Sequence, residues 1–496
     1  MNGPSDMAKA TLKAGCWTLL AALAAGCNFA PHYTVPPVAT PPAYKETKDW
    51  TTAQPADDKI KGAWWEMFND PQLNALEDQV NVSNQTIVAA FENFLAARAE
   101  AKEARSALFP TLTGDPAYTK ALASSNGGGS AGGAASSGGG LYSAYALPLD
   151  ASWEPDLWGS IRNTVAASVF SAQASAAQLE NMRLTIQAEL AVDFYELRAQ
   201  DDLINLYTRT IRDYRDSLEL TRILFQTGID SDLDVAQADT LLETTLAQAT
   251  ALGVARAQYE HAIALLVGQP ASTFSLKPAP LDYKPPAVPL GLPAQLLERR
   301  PDIAAAERSV AASNAVIGVA RAAYYPTISL TGGTGVQSST MSKLLESSSF
   351  YWAAGAAASE TIFDAGKRKA VTQQAWAEYR AGAANYRQTV LTAFQQVEDN
   401  IAALRILSTE IEQQEVAIRA SQKNLDLAVE RYRLGINSYL NVITAQETLL
   451  SNQQTAVAIH MQQMTSSVQL VMALGGGWST NDLPSTKRVI HEASAH

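Results

Sequence analysis

Beyond Cys27 the 496-residue chain contains no cysteine, and the other one, Cys16, also lies near the start. The bulk of the protein therefore has no disulfide and no thiolate metal cluster. Positive charge is in deficit: 37 Lys and Arg stand against 49 Asp and Glu, a net charge of −12. No Lys/Arg cluster supplies the footprint that a phosphate backbone requires, which excludes nucleic acid as a partner. Histidine is scarce, at five residues. His261 and His460 fall in helical stretches without a second ligand at metal spacing, and His491 and His496 fall in a polar tail. Gly366-Lys367 lacks the upstream glycine and following Ser or Thr of a phosphate loop. Gly332, Gly333 and Gly335 follow a strand-like run but open no helix, so they fail as a dinucleotide fingerprint. The chain reads as a non-enzyme without metal or cofactor.

What is present begins with a leader. Lys9 and Lys13 precede an apolar run, Trp17 to Ala25, that is shorter than the ~20 residues of a spanning helix. Residues 1–26 read as a secretory signal. The run ends Leu23-Ala24-Ala25-Gly26-Cys27, which resembles a bacterial lipoprotein box with Cys27 as the lipidated first residue; Ala24 stands where Leu is usual. The competing reading is an ordinary cleaved signal with an incidental Cys27. Residues 27–63 carry FAPHYTVPPVATPPAY, a Pro-rich extended tether, and residues 269–293 form a second Pro-rich stretch that divides the chain.

On either side of that divide the sequence repeats. QTGIDSDLDVAQADTLL at Gln226 and RLGINSYLNVITAQETLL at Arg433 align at a separation of 207 residues, and the match runs from Gly159 on Gly366 to Gly268 on Gly475. ARSALFPTL at Ala104 pairs with ARAAYYPTI at Ala320. The Gly/Ser run from Asn126 to Gly140 absorbs the difference in spacing. The first copy occupies 64–268, the second 294–475, and 476–496 is a tail. Asn163 to Thr227 contains no Pro or Gly, and at 1.5 Å per residue it would extend roughly 100 Å. Its apolar residues recur every seven positions, as at Leu190, Leu197, Ile204, Ile211 and Leu218, the period of helices that supercoil against neighbours.

Between the Pro and Gly of each copy the period changes to two. In LYSAYALPLDASW, Leu141, Tyr145, Leu147, Leu149 and Trp153 share one face, with Tyr142, Ala144, Asp150 and Ser152 opposite. With TLTGDPAYTK at Thr111, TISLTGGTGV at Thr327 and FYWAAGAAAS at Phe350, this predicts hairpins over about 111–154 and 327–363, four strands per chain of membrane-spanning length. Four strands cannot close a barrel alone, so several chains must contribute. Pro116 and Pro148 each remove a ladder hydrogen bond.

The lipoprotein box, the tether, AWWEMFNDPQLNALEDQ, SWEPDLWGSIR, LLERRPDIAAAERSV, RYRLGINSYLNVITAQ and MALGGGW together resemble the outer-membrane efflux channels of Gram-negative bacteria. The resemblance is to the OprM/NodT lipoprotein branch of the TolC-like superfamily and covers nearly the whole chain. It implies a mixed membrane protein: a homotrimer whose twelve-stranded transmembrane β-barrel stands on a long α-helical barrel in the periplasm. It further implies a passive exit duct of a tripartite pump, partnered by a periplasmic adaptor, an inner-membrane transporter of the RND type and outer-membrane lipid. Asn28 is not the Asp that retains lipoproteins in the inner membrane, so the acyl (palmitate) anchor on Cys27 is expected in the outer one. Two copies in three chains supply six wall units.

At the tips, Gly228 and Gly435 permit the left-handed turn that ends a helix, and Ser231 and Ser438 can cap the next. The resemblance adds an adaptor contact at Gly228, Ile229, Ser231, Gly435, Ile436 and Ser438. It places the bore constriction at Leu440, Asn441 and Thr444, the latter two where relatives carry carboxylates, and a helix latch at Asp234 and Tyr432, the family's arginine being replaced by Asn437. The alternatives are a periplasmic adaptor, which has one helical hairpin and lipoyl-like β motifs, an exit duct for protein secretion, and an envelope enzyme, for which no polar cluster is found.

Overall fold

The computed structural model describes residues 28–46, 62–122, 141–281, 284–286, 288 and 293–491. Cys27 and the signal lie outside the described residues. Eight helices longer than one turn are described: α1 (Pro71–Ser83), α2 (Gln85–Ser106), α3 (Ser160–Gln226), α4 (Asp232–Leu266), α5 (Pro301–Ala322), α6 (Lys367–Arg433), α7 (Tyr439–Ala473) and α8 (Thr486–His491). The helices α2 and α5 have 22 residues each, α3 and α6 have 67, and α4 and α7 have 35. The two longest extend roughly 100 Å. None of the described helices is long and apolar enough to cross a membrane.

The helices form a wall one layer thick. Above the waist, α3 packs on α2 and α5, and α5 packs on α6; below it, α3 packs on α4 and α7, and α7 on α6. The order across the wall is therefore α2–α3–α5–α6 above and α4–α3–α7–α6 below. The main core sits at the waist, where Phe194, Leu190 and Leu197 of α3 meet Trp64, Leu73, Ile263 and Val468. A second cluster lies near the tips, around Tyr214, Leu218, Tyr432, Tyr439 and Val442.

Above the wall stands one antiparallel sheet of β1 (Thr111–Gly114), β2 (Ala117–Leu122), β3 (Leu141–Trp153), β4 (Thr327–Ser338) and β5 (Phe350–Ser359), in the order β1–β3–β4–β5 with β2 also on β3. The stretch expected as one strand over Thr111 to Lys120 is two segments. Thr111 faces Ser152 and Ala117 faces Ala146, so pairing resumes in the same register after Asp115-Pro116. Pro116 and Pro148 both lack an N–H at this step, which breaks the ladder without shifting it. On the other side Pro148 faces Gly335, where an added Cβ would lie 2.4 Å from the Leu147 carbonyl oxygen. Only glycine admits that approach. The last strand ends at Ser359, short of 363, because Asp364 turns the chain by accepting from Gly366 N at 2.9 Å and Arg368 N at 3.1 Å.

Both Pro-rich stretches are docked. Along the first, Phe29 stacks on Tyr325 at 4.4 Å, Tyr33 donates to Glu307 at 2.5 Å, and Glu398 accepts from Lys45 N at 2.8 Å and Glu46 N at 3.2 Å. Gly318 makes room for this strap, since a Cβ there would lie 2.7 Å from Ala30 Cβ. The second is clamped by a buried ion cluster. Asp201 accepts from Arg198 at 2.9 Å, Arg256 at 2.7 Å and Ala279 N at 3.1 Å, while the two arginines donate to the Lys277 and Leu276 carbonyls. The tail also departs from expectation: α8 buries Val489 against Ala101, Val169 and Ala172.

Candidate functional site: helix tips and bore face

Far from the sheet, each long helix ends on a glycine. Gly228 and Gly435 have φ of 79° and 70°. Gly228 N donates to Phe225 O at 3.0 Å and Ile229 N to Leu224 O at 2.9 Å; Gly435 N and Ile436 N repeat this on Tyr432 O and Arg431 O, both at 2.9 Å. These are paired Schellman ends. Ile229 and Ile436 stand 67% and 60% exposed beside them, apolar side chains left largely open by the described residues. Ser231 begins α4 as expected, accepting from Asp234 N at 3.3 Å. Ser438 does not: it occupies the capping position of α7, but its side chain makes no capping bond.

Leu440 is 56% exposed and shares the outer face of the first turns of α7 with Asn441 and Thr444, both also exposed. Thr444 Oγ1 donates back to Leu440 O at 3.0 Å. No charged side chain stands among these three. Behind them, Val442 and Ala445 are buried and Gln446 Nε2 donates to Ser217 Oγ at 2.9 Å, which ties α7 to α3.

The expected bond between Tyr432 and Asp234 is not made. Tyr432 donates to Asp230, and its hydroxyl also meets Thr221 Oγ1 at 3.1 Å. Asp234 instead accepts from Ser231 Oγ at 2.6 Å and serves the start of α4. The reason is local: the Schellman turn folds Asp230 back over the end of α3, whereas Asp234 lies one helical turn away with its carboxylate committed to the cap. Burial holds the Asp230 carboxyl above its usual range, opposed by the Tyr432 hydroxyl and reinforced by the Asp234 carboxyl. Tyr432 is pushed up by burial and by Asp230, and Tyr439, whose ring lies 5.2 Å from it, is pushed up to about 12 by burial. The pairing with Asp230 was within reach of the sequence. At the 207-residue separation Asp230 matches Asn437, the position already marked as substituted.

At the opposite end the sheet register sorts side chains by face. Leu147 is level with Val336 and Phe350, Leu149 with Thr334 and Trp352, and Trp153 with Leu330 and Ala356. The other face holds Thr113, Asp150, Gly333 and Ala353 at one level. One face is a lipid-type surface and the other is polar and small, as in a water-filled barrel. Among the described residues no group of three His, Cys, Asp or Glu could hold a metal ion.

A sequence profile described as outer membrane efflux protein matches residues 76–269 and 292–476. The probable efflux pump outer membrane protein TtgC of Pseudomonas putida is 32% identical over 91% of this chain and 93% of its own length. The solvent efflux pump outer membrane protein SrpC of the same species is 33% identical over 92% of this chain and 96% of its own. The solved outer-membrane channel OprN superposes with a TM-score of 0.82 at 30% identity, covering 91% of this chain and 100% of that one. With the profile matched across both copies, the chain belongs to the outer membrane efflux protein family.

Proposed function

We propose that this chain is the outer-membrane exit duct of a tripartite efflux pump, working as a homotrimer that conducts cargo passively. The observation that carries the reading is that sheet and wall are open on the same two flanks. One flank carries β1, β2, α2 and α4, and the other carries β5 and α6. An open strand edge leaves backbone groups unpaired in lipid, and the two flanks are different surfaces, so copies join head to tail into a closed ring. Three copies place twelve strands around the barrel, as the family resemblance implies. The exposed Ile229 and Ile436 then face a periplasmic adaptor, which links the duct to an inner-membrane transporter of the RND type. Acylation of Cys27 fits the strap, whose first described residue, Asn28, accepts from Asn163 Nδ2 at 2.9 Å just below the sheet. Native mass in detergent with single-channel recording tests the reading. A trimer that conducts is expected; a stable, fully folded monomer overturns it.

A further inference from the structure

The sheet carries one charged residue on each face among its strand residues. Asp150 lies on the polar face, and Lys120 lies on the apolar one. The register fixes the second placement: Lys120 is level with Ser143, between the pairs Tyr118 with Tyr145 and Leu122 with Leu141. Lys120, Tyr118 and Leu122 are all exposed. A lysine on a lipid face costs ~2–4 kcal/mol at the bilayer midplane and ~0–1 near the interface, so its height matters.

That height follows from the aromatic residues. Trp153 marks the end of the sheet nearest the helices, and Tyr118 and Tyr145, with ring centroids 4.8 Å apart, form an aromatic pair toward the other end, four residues short of Leu141. About ten residues of β3 separate Trp153 from Ser143, the level of Lys120, roughly 33 Å along the strand, which at a barrel tilt of ~35–45° is ~23–27 Å of height, close to the ~25 Å apolar band between aromatic girdles. Lys120 lies one step beyond the far girdle, at headgroup level on the side away from the helical wall. No carboxylate pairs with it among the described residues, and residues 123–140 contain no charged residue that could. Among the described residues the cation stands at the membrane surface without a counter-charge.

We propose that Lys120 binds the phosphate of a lipid headgroup in the outer leaflet, with Tyr118 and Tyr145 flanking the glycolipid. This rests on the outer-membrane channel reading above. Its place on β2, at an open edge of the sheet, puts the lipid at the seam where the next copy joins.

The test is native mass spectrometry of the full chain in detergent, titrated with bis-phosphorylated lipid A. Lys120→Gln is expected to weaken binding about fivefold, the effect of one cation near an anionic surface, and Lys120→Arg to stay within about twofold of wild type. Lys343→Gln, in the loop between β4 and β5, is expected to change nothing. The proposal is overturned if Lys120→Gln binds as wild type, if Lys343→Gln weakens binding equally, if dephosphorylated lipid A binds as well, or if equimolar inorganic phosphate displaces the lipid. The same spectra report the oligomer, so loss of the trimer in wild type indicts the channel reading, while an intact trimer with unchanged binding indicts only the lipid contact.

Discussion

Tyr432→Phe isolates the tip contact. The substitution deletes one hydroxyl and no ring, so the packing of Tyr432 on Tyr439 survives. It removes a bond to a carboxylate and a bond to Thr221. A hydrogen bond to a charged group contributes ~1.5–3 kcal/mol, so the ratio of closed to open tips should fall about 10- to 150-fold, at ~1.4 kcal/mol per decade. Asp230→Ala should do the same, and the double variant should add little, since both delete one interaction. Asp234→Ala is the discriminating control: it leaves Ser231 as the cap and removes only a first-turn carboxylate that accepts from Ser231 Oγ, at ~0.3–1 kcal/mol to α4 alone, and should leave gating near wild type. Single-channel recording in planar bilayers, with trimers verified on the same sample, reads all four. If Asp234→Ala opens the channel while Asp230→Ala does not, the geometry assigned to the tip is wrong.

Asp150→Asn should move the cation-to-anion permeability ratio toward one, because it removes the one charge of the strand residues on the polar face and the constriction residues are neutral; an unchanged reversal potential under a salt gradient would refute this. For pH the sign follows from Asp230, whose carboxyl is held above its usual range in the packed tip. Packing therefore gains from protonation, and its contribution is lost as pH rises through the raised value. Acidification toward the ordinary carboxylate range should lower open probability, and Asp230→Asn should abolish that response. Asp201→Asn leaves Arg198 and Arg256 with a weakened partner in a buried cluster; removing one partner of such a pair costs ~3–5 kcal/mol, so chymotrypsin cleavage after Phe274, in the stretch this cluster clamps, should accelerate at least tenfold.

The elements legible in the sequence were those fixed by period: two long helices by a seven-residue seam, and strands by alternation. The faces read from LYSAYALPLDASW survive in the register, Leu147 and Leu149 opposite Asp150 and Ser152. What escaped was long-range. FAPHYTVPPVATPPAY carries every sign of a free tether, because Pro spacing reports extended backbone and says nothing of Glu307 or Glu398, more than 260 residues away. Asp230 escaped for a similar reason. A linear match cannot register a Schellman turn that carries one carboxylate back over its helix while the next is spent on a cap.

The two copies diverge where the latch is made, and the divergence has a direction. At the 207-residue separation Tyr432 matches Phe225, Asp230 matches Asn437 and Thr221 matches Ala428. In the proposed ring the contact within a chain, between the end of α3 and the α6–α7 hairpin, alternates with a contact between the end of α6 and the next chain's α3–α4 hairpin. The first has its hydroxyl, carboxylate and threonine; the second has none of the three. Three latches rather than six would hold the closed end of that ring, and the seams between chains would be the weaker joints at which the tips part. Phe225, 43% exposed at the end of α3, is free to take a hydroxyl without repacking a core. Phe225→Tyr with Asn437→Asp should install the missing bond, shifting the tips toward closed by about tenfold or more at ~1.5 kcal/mol or above, whereas either change alone should do little. Trimers that keep wild-type open probability with both substitutions present would show that the seam between chains is not built like the joint within them.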